Sequence, residues 1–139
     1  MAGSATDYLE RQVLQHTLLI APMAPPPAVY VALCVTLPSD AAPGDEVVGR
    51  GYRRSPATFA MLDGQPTAAA NTAVVEFQPA MQRWGSVSWL ELWDALAGGN
   101  RLYWGPLVDP EDGITPITRT IQATDILRLP AGSIVVTAD

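Results

Sequence analysis

The sequence predicts an all-β protein: a jelly-roll-like β-sandwich of about eight short strands carrying one N-terminal α-helix. Three observations lead there. Short β-branched and apolar runs recur at roughly even spacing, separated by turn segments, and the 139-residue chain holds 13 prolines and 11 glycines. Only residues 4–20 carry a sustained helical period. All four tryptophans fall between Trp84 and Trp104, in a segment patterned as a β-hairpin. The length fits one domain with a core of its own, without disulfides or metals.

The helix has a start, a face and a stop. Ser4 or Thr6 can cap it, and Asp7 and Glu10 favour its dipole. Leu9, Val13, His16 and Ile20 lie on one side, and Leu14 and Leu18 widen the stripe. Pro22 ends it, and APMAPPP continues as a stiff, extended connector. Residues 1–27 thus form a helix and connector, and residues 28–139 the sandwich.

The body begins with VYVALCVTL (29–37), a buried strand. Residues 38–51 form an acidic loop. Tyr52 to Phe59 is a second strand, with Pro56 demoting part of it to an edge or bulge. LDGQP (62–66) is a turn. Asn71 to Phe77 is a third strand with Ala73, Val75 and Phe77 on one face. Residues 78–85 are loop. Residues 87–93 and 101–107 form the hairpin, and Gly98, Gly99 and Asn100 supply positive φ angles for its turn. After a turn region at 108–116 come strands at 117–123 and 126–129. PAG (130–132) turns the chain into a last strand, 133–137. There is no internal repeat.

The first hairpin strand is greasy on both faces. Leu90 and Leu92 point one way, into the core; Trp89 and Trp93 point the other way, flanking Glu91. On the return strand Arg101 and Tyr103 share a face. An outward patch of Trp89, Trp93 and Tyr103, with Arg101 beside it, has the make-up of a protein interface. Three covers are open for it: the chain's own helix, a neighbouring subunit, or a sugar stacked on the rings.

Composition narrows the function. Apolar residues make up 48% and charged residues 16%, and the net charge is −6. There is no lysine; all eight basic residues are arginine, the residue suited to bidentate interface pairing. The acidic balance argues against nucleic-acid binding. The N-terminus carries no signal-peptide pattern and no span long enough for a membrane, so the protein is expected to be made in a cytoplasm. Cys34 is the single cysteine and His16 the single histidine. That set builds neither a disulfide nor the usual zinc site, and an apolar strand is a poor setting for a Cys34–His16 dyad. The carboxylates of 39–46 and 109–113 read as solvated turns. Neither a metal nor a cofactor is expected. GRGYRR (49–54) is the one basic cluster, and Arg53 and Arg54 beside an acidic loop suit an interface or an intrachain ion-pair set.

In order, DYLERQVLQHTL, VYVALCVTLPSD, GRGYRRSPATF, NTAVVEFQPAMQRWGSV, WDALAGGNRLYWGPL and LPAGSIVVTAD resemble a family of small phage virion proteins, labelled tail fibre or minor structural proteins, of phages, prophages and gene transfer agent particles. The resemblance covers nearly the whole chain and consists of Gly, aromatic and apolar positions. Trp89, Trp93 and RLYW depart from the usual pattern. The resemblance implies a non-enzymatic virion component made in the bacterial cytoplasm. It implies a homo-oligomeric ring, such as a pentamer or hexamer, serving as the base or adaptor between a fibre or head spike and capsid or tail proteins. The helix and proline connector could dock on a neighbouring subunit and build such a ring by arm exchange. The alternative is a carbohydrate-binding module contacting the host surface.

Overall fold

The computed structural model describes residues 4–138, so residues 1–3 of the N-terminal segment and residue 139 lie outside the described residues. The fold is all-β with one N-terminal helix. The chain runs β1 (Ser4–Ala5), α1 (Asp7–Thr17), β2 (Val29–Cys34), β3 (Ser55–Ala57), β4 (Phe59–Leu62), β5 (Gln65–Asn71) and β6 (Val75–Glu76). It continues through β7 (Gly85–Val87), β8 (Trp89–Trp93), β9 (Arg101–Pro106), β10 (Arg119–Ile121), β11 (Arg128–Leu129) and β12 (Val135–Thr137). A five-stranded antiparallel sheet has the order β1-β9-β8-β2-β3. Facing it are a three-stranded sheet, β12-β5-β4, and two short ladders, β10-β7 and β11-β6.

One core joins these layers. Val31 and Leu33 from β2 and Leu90 and Leu92 from β8 meet Phe77 and Ile134 from the opposite side. Burial of such side chains contributes roughly 1.5–3 kcal/mol each. The alternation that predicts Leu90 and Leu92 as core therefore holds.

The described residues form twelve strands rather than about eight, the expected strand Tyr52 to Phe59 dividing at Thr58 into β3 and the start of β4, and three further elements differ from expectation. The helix is shorter at both ends than the 4–20 predicted. Ser4 and Ala5 instead pair with Trp104 and Tyr103, and Thr6 is the N-cap, its Oγ1 accepting from the Leu9 N–H at 3.2 Å. Thr6 is fully buried and donates its own hydroxyl proton to the Arg101 carbonyl at 2.6 Å. At the other end Leu19 takes a φ of 61°, and the Ile20 N–H turns back to the Gln15 carbonyl at 2.8 Å. The Met23 N–H then bonds His16 Nδ1 at 3.1 Å, which anchors the connector.

The expected turn at 62–66 is the tip of a hairpin, β4–β5, and β5 runs on to Asn71. QPTAAAN hides this strand because alanine has a weak strand propensity. The expected strand 71–77 breaks after Asn71. Its buried amide donates to the carbonyls of Ala73 (2.9 Å) and Pro130 (3.0 Å), and its oxygen accepts from the Ile134 N–H (2.9 Å). Those bonds replace a ladder with a corner. Val75 and Phe77 are in the core as expected, while Ala73 is exposed.

Candidate functional site

The outer face of β8 is covered by the acidic loop, a possibility outside the three expected covers. Loop and strand meet around one buried carboxylate. Glu91 has no solvent exposure. Its Oε2 accepts from the Gly44 N–H at 3.0 Å and from Arg101 Nη1 at 3.2 Å, and its Oε1 accepts from Trp93 Nε1 at 3.1 Å. Arg101 is buried too, and its Nη2 donates to the Ser39 carbonyl. The loop reaches this depth because position 44 is glycine. A Cβ there would stand 3.3 Å from Cys34 Cβ and collide with the Thr36 carbonyl. Trp104 completes the seal, donating from Nε1 to Asp40 Oδ1 at 2.7 Å.

The faces of β9 also differ from the simple alternation. Trp93 pairs with Arg101 but Leu92 pairs with Tyr103, so Leu102 is an extra residue in a bulge. Tyr103 consequently turns toward the core rather than sharing the face of Arg101. Trp104 takes the outer position, across from Glu91, with its ring centroid 6.2 Å from that of Trp89. A bulge is set by the partner strand and leaves no mark in the residue pattern of β9.

Arg54 organises the hairpin tip. It is buried, and its Nε and Nη2 each lie 3.0 Å from an oxygen of Glu46. Its Nη1 donates to the carbonyls of Ala95 (2.9 Å) and Gly98 (2.8 Å), and its guanidinium carbon lies 4.1 Å from the ring centroid of Trp93. The tip itself uses Gly98 (φ 62°) and Gly99 (φ 79°). Asn100 does not share their positive φ; it bonds Asp94 through both its backbone N–H (2.7 Å) and its side-chain amide (3.0 Å).

Two groups beside this site, the Cys34 thiol and the Tyr52 phenol, hold their protons more tightly than usual. Burial first, then the adjacent Glu91 charge, pushes the Cys34 thiol far above its ordinary value of 9.0. Burial first, then its hydrogen bond to Glu46, raises the Tyr52 phenol above 10.0. A protonated, buried thiol is a poor nucleophile. Among the described residues no group of three or more His, Cys, Asp or Glu is placed to hold a metal, and no helix is long and apolar enough to cross a membrane.

The six residues singled out as interface candidates thus separate. Arg54 and Arg101 are committed to partners within the chain, as is the indole N–H of Trp93. Tyr103 faces the core. Arg53 is exposed, and Trp89 is half-exposed. The residues that sequence reasoning missed are Glu46, Gly44, Asp40 and Trp104. The only signal for them was the acidic run next to GRGYRR, and one of the two readings of that pair was an intrachain ion-pair set.

No individual curated protein matches the chain. A family model does, and it spans residues 4–137, from the start of β1 to the end of β12. The all-β fold, the hairpin and its GGN turn all lie inside that match. The chain belongs to the family described as podophage GP4 fiber I protein gp80, and is a phage virion structural protein of the fibre type.

Proposed function

We propose that the protein is a non-catalytic, homo-oligomeric base or adaptor that attaches a fibre or spike to the tail or capsid of a phage-like particle. One observation carries this reading: the apolar side chains of the second half of α1 and of the turn that follows it are uncovered. Val13 and Leu14 on the helix are 46% and 57% exposed, and Leu18, Leu19 and Ile20 in the turn that ends it are 64%, 93% and 69% exposed, whereas Leu9 alone among the helix residues is buried. A cluster of exposed apolar side chains of this kind suits a contact with another protein. The segment 1–27 is the docking unit in this reading, and 28–139 is the body that carries it. Arg53, Trp89 and Trp104 extend the available surface beyond the helix. Membership of a fibre family supports partners among the other virion components and a location in the virion.

Light scattering on the purified protein tests this. The expected result is a closed oligomer of defined mass that falls to monomer in Leu14→Glu/Leu18→Glu, with the circular dichroism of the β-body unchanged. In particles, deleting the gene is expected to remove the fibre and leave the particle. A monomeric wild-type protein, or an oligomer indifferent to the helix substitutions, would count against the adaptor.

A further inference from the structure

Two surfaces of opposite charge stand at opposite ends of the β7–β10 ladder, which pairs Ile121 with Gly85 at one end and Arg119 with Val87 at the other. Just past the first end the Trp84 N–H bonds the Ile121 carbonyl at 2.9 Å. Trp84 Nε1 and the Met81 N–H both donate to the Arg50 carbonyl at 3.0 Å. These bonds lay the turn 49–52 on the segment 81–84 and bring Arg50 and Arg83 to one surface, with Arg53 one residue past the turn. All three arginines are exposed, and their side chains form no ion pair or hydrogen bond among the described residues. Val48 and Met81 beside them are 92% and 62% exposed.

Past the other end lies the turn 108–116. Ser88 and Thr118 bond through their hydroxyls at 2.8 Å, and the Ile117 N–H bonds the Leu107 carbonyl at 2.8 Å. The turn between is held in shape by its own bonds. The Asp109 N–H reaches the Thr115 carbonyl at 2.8 Å, and Asp112 Oδ1 accepts from the N–H groups of Ile114 (2.8 Å) and Thr115 (2.9 Å). It carries Asp109, Glu111 and Asp112, none of them in an ion pair among the described residues, and an Ile114 that is 79% exposed. Each surface therefore combines unpaired charge of one sign with exposed apolar side chains. From Trp84 to Ser88 the strand covers about 13 Å, beyond the reach of an ion pair. The two surfaces cannot meet within one chain, but they can meet between two.

Neighbouring charges do not cancel either surface. Asp125, whose carbonyl bonds the Ala80 N–H, holds the Gln122 N–H through Oδ2 and pairs with no arginine. Glu46, close in sequence to Val48, is paired with Arg54. Arg119 and Arg128 share a small hollow with Pro110 of the acidic turn, but Arg128 is paired with Glu76 and Arg119 is in no ion pair among the described residues. Three charges against one leave each surface with an excess of its own sign.

We propose that Arg50, Arg53 and Arg83 dock the 109–114 turn of a second copy of this chain, with Val48 and Met81 against its Ile114. The contact uses different surfaces on the two copies, the kind that builds a closed ring rather than a two-fold dimer. Opposite charges at such a contact fix the register and speed the encounter. The proposal deepens the homo-oligomeric adaptor reading and rests on it: the uncovered side chains of α1 supply apolar contact, and the charges say which way each copy faces the next.

Light scattering and sedimentation of the full chain test it through a charge swap. Arg50→Glu/Arg53→Glu/Arg83→Glu reverses the basic surface. Asp109→Asn/Glu111→Arg/Asp112→Asn reverses the turn and keeps the side-chain oxygens that shape it. Each set alone is expected to raise the dissociation constant of the oligomer at least about tenfold. Both sets in one chain are expected to return it to within about threefold of wild type, and an equimolar mixture of the two singly reversed chains is expected to reassemble. Circular dichroism checks the fold, and Arg50→Gln/Arg53→Gln/Arg83→Gln repeats the test with a milder change. The proposal is overturned by a native mass indifferent to either reversal, or by a combined chain no better assembled than the single sets. It is equally overturned by a basic-surface reversal that leaves the native mass intact yet removes the fibre from particles, which would give that surface to a different virion protein. A monomeric wild-type protein overturns the adaptor reading together with this one. An oligomer lost in Leu14→Glu/Leu18→Glu but indifferent to the reversals overturns this one alone.

Discussion

Glu91→Gln tests whether the buried ion pair holds the acidic loop onto the sheet. Glutamine matches the shape of glutamate, so the change isolates the charge. At 3.2 Å and an effective dielectric near 20, the attraction between Glu91 and Arg101 is about 5 kcal/mol. Desolvation offsets much of this, so the pair is worth little compared with two apolar residues. Removing one partner is different, because it leaves Arg101 buried with its charge uncompensated, at a cost of about 3–5 kcal/mol. Glutamine also brings an NH2 group into a site whose three neighbours, Gly44 N, Trp93 Nε1 and Arg101 Nη1, are all donors. The sum is a large share of a domain stability of about 5–15 kcal/mol. It corresponds to a melting temperature lower by roughly 12–20 °C.

Urea unfolding followed by tryptophan fluorescence reads the effect, since Trp93 touches Glu91 directly and Trp104 is bonded to the same loop. The double variant Glu91→Leu/Arg101→Met is the control. Apolar residues in place of both charges are expected to recover stability to within about 1–2 kcal/mol of wild type. A Glu91→Gln protein within about 1 kcal/mol of wild type, or a double variant no better than the single one, would refute the reasoning.

Four further outcomes are expected. Arg54→Ala strips the hairpin tip of its ion pair, two carbonyl bonds and the contact with Trp93, and should lower stability by about 2–4 kcal/mol; hydrogen exchange should show residues 94–100 opening while β2 stays protected. Gly98→Ala and Gly99→Ala should separate, because a Cβ at 98 meets nothing within 4 Å whereas one at 99 lies 2.5 Å from Asp94 Oδ1 and 2.6 Å from Ala95 Cβ. Thermal melts are expected to show a loss of about 1 kcal/mol at 98 and more than twice that at 99, and equal losses would contradict the tip geometry. Alkaline pH should destabilise the fold. The raised values of Cys34 and Tyr52 mean that the folded state keeps protons the unfolded chain releases, so their contribution is complete below about pH 9 and is lost as pH rises beyond 9 and 10. Denaturation midpoints measured from pH 7 to 11 check this, and a midpoint flat to pH 11 would be inconsistent with either buried group. Native Cys34 should likewise resist thiol reagents until urea exposes it.

Much of this architecture was legible in the sequence because it follows from local rules. The 2-residue alternation in β8 placed Leu90 and Leu92 in the core. The paired glycines at 98 and 99 predicted the hairpin turn, whereas the helix stops at Thr17, short of the Pro22 that was expected to end it, because Leu19 takes a positive φ. Other features were invisible for definite reasons. β5 is rich in alanine and takes its strand conformation from neighbours on both sides, β4 and β12. The β9 bulge depends on how β8 pairs with it, and without it the face of Tyr103 is assigned wrongly.

The same division applies to the tryptophan hairpin. The sequence by itself determined that β8 has two apolar faces and that the second one needs a cover. Only the tertiary structure decided what that cover is. Gly44 and Glu91 are 47 residues apart, and Arg101 and Ser39 are 62 apart. An aperiodic acidic loop carries no pattern that announces such a contact. It becomes a lid because its backbone N–H and carbonyl groups satisfy a buried ion pair that solvent would otherwise have to reach. The helix, whose stripe looks made for covering, keeps most of its apolar face outside, since its first turn is already tied to β9 through Thr6.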